Sequence, residues 1–289
     1  MWRLWHQRPK PPLPPPPPSR KLAPSELVVA NEASKNDWDG GVISTALSSL
    51  PSQAYDGNSY TILIWGHPPK AIPQEAIHLL TWLGAPAGFQ VYLFWNDDPR
   101  TAKADEPLNP KNVNGGFAVP TIPKIYVYRS EEWERVLLHE CIHALGWDWP
   151  EFPIQPCWKL HPSSKLMPSL FEAWTELFAE WLWCLWYSPL SDSTGKTWQI
   201  QRKWQDQQAV QVLARHTGTW KETTNVFAYY VLKAALAPHI NLLLILGSEV
   251  NQLEICELAG KELDTLRSRA EHIHPRDMRL RMTNPSIHL

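Results

Sequence analysis

His139, Glu140 and His143 stand together in the stretch "EEWERVLLHECIHALGWDWP", residues 131 to 150. On an α-helix, two imidazoles four residues apart share a face and can reach one cation. The carboxylate directly after the first projects beside them, toward a water on that cation. Such a set can hydrolyse a polar bond: the cation acidifies the water and the carboxylate takes its proton. The plain alternative is a pair of ordinary core histidines. Against it, a chance His-Glu-x-x-His arises in only roughly a few per hundred chains of this size. The context also favours a helix over 131–145. Ser130 stands where an N-cap is needed, Glu131 and Glu132 fall in the first turn, and Gly146 supplies a stop. Leu137, Leu138, Cys141, Ile142 and Leu145 lie on another side of the same helix.

A hydrolytic zinc site needs three protein ligands and one open position. The third is expected on "SLFEAWTELFAEWLWCLW" (169–186), where Glu172, Glu176 and Glu180 recur at i, i+4 and i+8. Small Ala173 and Ala179 flank this stripe, and Trp174, Leu177, Phe178, Trp181 and Leu185 cover the rest. A helix apolar on nearly every other side is buried. Stacked carboxylates there are costly unless a cation or donors compensate them. A solvated acidic face is the competing reading.

His139-Glu140-Cys141-Ile142-His143 followed by a glutamate on a later helix resembles the gluzincin metallopeptidases. "TELFAEW" (175–181) is similar to the N-E-G-x-A-x-Y segment of their aminopeptidase branch. The resemblance implies a zincin-like fold, one Zn²⁺ ion, and Glu176 as third ligand beside His139 and His143. It implies Glu140 as general base in peptide-bond hydrolysis, and Glu180 as the residue that orients a ligating histidine. Glu172 is the rival ligand, in which case Glu176 takes the orienting role. Thr175, Leu177 and Trp181 replace the family's Asn, Gly and Tyr, and the 32 residues between His143 and Glu176 exceed the usual spacing. No match to the aminopeptidase substrate motif G-A-M-E-N is present. A weaker likeness is to uncharacterised HExxH proteins of large DNA viruses.

An oxyanion donor is expected on a later helix. "TTNVFAYYVLKAAL" (223–236) offers Tyr229 and Tyr230, either of which is equally readable as a core tyrosine; His216 and His239 are weaker candidates. "NGGFAV" (114–119) reads as an edge strand on which an extended substrate pairs through its main chain. Two alternatives stand beside the peptidase. One is a gluzincin-like domain that has lost catalysis and keeps a structural or binding role. The other is a helical protein with no metal.

The elements that must position these residues follow from the wider pattern. "YTILIWG" (60–66), "FQVYLFW" (89–95), "NGGFAVP" (114–120) and "KIYVYR" (124–129) read as strands, with a helix over 74–84 ending at Gly84. Helices are expected at 131–145, 170–187, 196–215, 222–236 and 249–271. The expected architecture is α+β and zincin-like, with a small sheet at about 55–129 and a mainly helical part at about 130–272 carrying the site. Residues 25–289 form one domain in this reading. Residues 1–24 form a flexible proline-rich tail, with residues 8–18 as an alternative docking segment for a proline-binding domain.

The formal charge of −2 and pI near 6.6 give no reason to expect nucleic acid or an anionic membrane as partner. A peptide or protein substrate is the partner expected. With 44% hydrophobic residues and 17 Trp the chain reads as a folded protein with an aromatic interior. The N-terminus lacks the apolar core of a signal peptide, and "INLLLILG" (240–247) is too short to span a bilayer. Cys141 and Cys184 read as buried free thiols, which suits a reducing, intracellular location.

Overall fold

The computed structural model describes residues 8–36, 39–104, 106–119, 122–149, 160, 169–188, 195–216, 220, 223–246 and 251–288. The chain divides into two compact units. A sheet unit comprises residues 9–99 and 114–147, and a helical unit comprises residues 1–8, 100–113 and 148–289.

The sheet unit is built on six strands in the order β1-β2-β3-β4-β7-β6. These are β1 (Ser19–Arg20), β2 (Ser52–Asp56), β3 (Tyr60–Trp65), β4 (Phe89–Phe94), β6 (Gly116–Ala118) and β7 (Lys124–Val127). The middle strands β3, β4 and β7 are parallel, while β1, β2 and β6 add antiparallel edges. The fold is therefore mixed α/β, with a sheet wider than the segment 55–129 suggested. A parallel pair needs a crossover, and α3 (Ile72–Leu83) supplies it between β3 and β4, closing on Gly84 in the left-handed conformation at φ 72°. Largely buried, β3 and β4 read in sequence as mainly apolar runs, broken only by half-buried Thr61 and Gln90.

Alternate side chains face opposite layers. Ala54, Leu63, Tyr92, Tyr126 and Phe117 align across the sheet and pack under α1 (Pro24–Ala33) and α2 (Val42–Ser49). Aromatic stacking runs through this layer, with Trp65–Phe94 centroids 4.8 Å apart, Tyr92–Tyr126 4.9 Å and Phe117–Tyr126 4.5 Å. The opposite layer, Ile64, Leu93, Val127 and Gly116, receives α3 and α5 (Trp133–Ala144).

Residues 9–20 are tied to the sheet unit at three points. Gln74 donates a hydrogen bond to the Pro14 carbonyl, the His78 ring bonds the Pro11 carbonyl at 2.7 Å, and Ser19–Arg20 joins the sheet as β1.

The helical unit contains α4 (Pro110–Val113), α6 (Leu170–Tyr187), α7 (Gly195–Ala214), a π-helical turn Phe227–Leu232 continuing into α8 (Lys233–Leu236), α9 (Ile240–Leu246) and α10 (Gln252–Ala270). The C-terminal β8 (Met278–Arg279) pairs with β5 (Thr101–Ala102). Phe227–Leu246 is long and apolar enough to cross a membrane; 61% of its apolar window is buried, as in a packed core helix. Cys141 and Cys184 are buried free thiols as expected, whereas Cys256 on α10 is disulfide-bonded.

Candidate metal centre

The histidines sit on α5, in the sheet unit directly after β7. Ser130 does not cap this helix. Its hydroxyl donates to Asp97 at 2.6 Å, and Glu132 occupies the cap position. Glu132 is the one non-glycine residue with positive φ among the described residues, at 62°. This conformation is sparsely populated and clusters near functional sites. Here it turns the chain from the end of β7 into the helix. The C-terminus is as the sequence indicates: Gly146 takes φ 64°, and the Gly146 and Trp147 amides return to the His143 and Ile142 carbonyls.

Along α5 the apolar residues Leu137, Leu138, Cys141 and Ile142 are fully buried. His139, Glu140 and His143 are buried too, at 6%, 5% and 7% exposure. Burial and the adjacent Glu140 charge push the Cys141 thiol well up, so it stays neutral and inert. One ligand atom from each of the three residues lies within 4.8 Å of the others, an arrangement that can hold a metal ion. The two Nε2 atoms are 2.9 Å apart. A contact of that length forms when one ring donates to the other or when both lone pairs face one cation. Two nitrogens bound at about 2.0–2.1 Å would subtend about 90° at this separation, and tetrahedral geometry would need them only a few tenths of an ångström further apart. The donor set, two buried nitrogens with a carboxylate beside them, can hold a metal ion.

The edge strand β6 reaches this site. Gly116 is so close to α5 that an added Cβ would lie 2.6 Å from Val136 Cγ1 and 3.1 Å from Glu140 Cγ. Glycine here permits the close approach of helix and strand. Sequence patterning placed the strand but did not single out Gly116; the pair "GG" before an apolar alternation is the signal that could have.

The remaining site candidates belong to the helical unit. Glu176 is buried at 3% and Glu180 at 0%, and Glu172 is half-buried in the first turn of α6, where the Ser169 hydroxyl accepts from the Glu172 amide. The buried acidic stripe expected on this helix is therefore present. Compensation of Glu180 comes from within its own unit. Lys233 forms a buried ion pair with Oε1, and the carboxamides of Gln201 (2.7 Å) and Gln205 donate to Oε2. Gln201 also donates to the Met282 carbonyl at 2.8 Å and accepts from the Asn284 amide at 2.9 Å. Lys233 lies 5.6 Å from the Tyr230 ring centroid. Residue types had not singled out Lys233, Gln201 and Gln205. A lysine inside "VLKAAL" and glutamines four apart on α7 are the signals they leave in the sequence.

Tyr230 is 1% exposed and donates its hydroxyl proton to the Leu280 carbonyl at 2.8 Å, whereas Tyr229 is half-buried. Both lie in the π-helical turn, a feature found often at functional sites. His216 stacks on Trp220, and His239 Nε2 lies 3.7 Å from Glu262. No protein family, no curated protein and no solved structure matches this chain.

Proposed function

We propose that the chain is a zincin-like metallohydrolase acting on peptide bonds, with Glu140 as its general base. The observation that carries this reading is the convergence of two buried imidazole nitrogens 2.9 Å apart with the Glu140 carboxylate beside them. His139 and His143 would hold the ion. Zinc in such a site supplies Lewis acidity, polarising a carbonyl and bringing the pKa of a water to about 7.

The chain's own residues do the rest. Glu140 takes the proton of the attacking water and returns it to the leaving nitrogen. Burial of the helix limits bulk water and strengthens each charge interaction. The outer edge of β6 carries main-chain donors and acceptors beside Glu140, a template for an extended peptide.

The test pairs metal analysis with cleavage of a mixed peptide library. The purified chain should carry about one equivalent of zinc, and His139→Ala or His143→Ala should fall below about 0.2. Glu140→Gln should keep the metal and lose cleavage by about a hundredfold or more. A chain without tightly bound metal would sink the reading. If wild type and Glu140→Gln both hold zinc and neither cleaves, a metal-stabilised binding domain replaces the peptidase.

A further inference from the structure

A second built contact lies away from the histidines, along the N-terminal prolines. Exposure there repeats every three residues: Pro11, Pro14, Pro17 and then Arg20 are half-buried, and the residues between them are exposed. Three residues per turn is the period of a polyproline II helix, so one of its three edges faces the fold. On that edge the Pro11 and Pro14 carbonyls accept hydrogen bonds from His78 and Gln74, one turn apart on α3. The tract therefore runs antiparallel to the helix. At its far end Arg20 is clamped between two carboxylates, to Glu26 at 2.6 and 2.8 Å and to Asp56 at 2.5 and 3.1 Å. The Arg20 guanidinium holds both carboxyls below their usual range.

The same residues carry two recognition patterns. Arg8-Pro9-Lys10-Pro11-Pro12-Leu13-Pro14 places a cation ahead of prolines spaced three apart, and Pro15-Pro16-Pro17-Pro18-Ser19-Arg20 has the reverse order. Aromatic-grooved domains read such segments by packing prolines at that period, and a cation at either end sets the direction. In this fold each pattern is closed at an anchor. Pro11 and Pro14 face α3, and Arg20 is held by Glu26 and Asp56.

We propose that residues 8–20 are a masked recognition segment: a polyproline II ligand for an aromatic-grooved, proline-reading domain in trans, closed in cis by the Gln74–His78 face of α3 and by the Glu26–Asp56 clamp. The tract reaches such a domain only in its undocked fraction, and its apparent affinity falls by that fraction. This inference is independent of the metal.

The test titrates an isolated SH3 domain, one that selects basic-x-x-Pro-x-x-Pro peptides, against three forms. These are the synthetic peptide of residues 8–20, the full chain, and the full chain carrying Gln74→Ala with His78→Ala. The full chain should bind at least about tenfold more weakly than the peptide, and the double variant should recover most of that loss. Where the double variant does not fold, Gln74→Glu serves instead, since it keeps a good helix former and sets an acceptor against the Pro14 carbonyl. Equal affinity of full chain and peptide overturns the mask, as does a folded opening variant that binds no better than wild type. A peptide that fails to bind overturns the recognition segment itself.

Discussion

Glu140 passes Gly116 so closely that a Cβ on the glycine would stand 3.1 Å from Glu140 Cγ. The proposed base of the metal helix and the edge strand proposed to hold substrate are thus in direct contact. The same Cβ would lie 2.7 Å from the Tyr126 carbonyl of the neighbouring strand, so the backbone itself blocks it. Gly116→Ala should destabilise the chain by about 1–3 kcal/mol through overpacking, read as a lowered denaturation midpoint. Peptide cleavage should drop more than metal content, because the substitution presses on Glu140 and not on the imidazoles. An unchanged midpoint would show that strand and helix separate freely.

Glu180 and Lys233 are buried to 0% and 2% exposure, and each compensates the other. Lys233→Ala should therefore cost about 3–5 kcal/mol, since a buried carboxylate loses its cation. The paired change Glu180→Leu with Lys233→Met should cost far less than the sum of the single changes. Chemical denaturation of the four forms measures the coupling. Additive losses would argue that the pair is incidental.

The two tyrosines of the π-helical turn should separate. Tyr230→Phe deletes the hydrogen bond to Leu280 and leaves that carbonyl buried, so a loss of about 1–2 kcal/mol in stability is expected with little change in turnover. Tyr229→Phe should lower kcat for peptide cleavage if its hydroxyl steadies the oxyanion. The reverse pattern would exchange the roles.

Acid should loosen the N-terminal segment before it unfolds the rest of the sheet unit. Glu26 and Asp56 have carboxyl pKa values lowered by Arg20. Their stabilising contribution is thus fully present above the ordinary carboxylate range near pH 4 and is lost as pH falls through the lowered values. Proteolysis at the Arg20–Lys21 and Lys21–Leu22 bonds, by a protease active in acid, should speed up below about pH 4 and not between pH 5 and 8. Acceleration between pH 5 and 8 would point to another titrating group.

The local grammar of the sequence determined much of this protein. The runs at 60–65 and 89–94 read as strands because β-branched and aromatic residues fill them and turn residues bound them. Gly84 and Gly146 marked their helix ends because left-handed backbone favours a residue without a Cβ. His-Glu-x-x-His fixed which side chains share a face of α5, since four residues make just over one turn.

Other features depended on what lies far away in the chain. Ser130 resembles a cap, yet it bonds Asp97, a partner thirty-three residues earlier that exists only once β4 and β7 pair. The short strands β1 and β2 carry no period long enough to read, and gain their identity from the ladder beside them. The proline tract lacks internal hydrogen bonds in any conformation, so only the donors of α3 decide that it docks. Glu180 is one of three equivalent carboxylates in the sequence; the buried Lys233, fifty-three residues away, sets it apart. Sequence determines backbone period and chemical type, which are local. Tertiary packing decides which polar groups find each other across long loops, because burial makes every unpaired one costly.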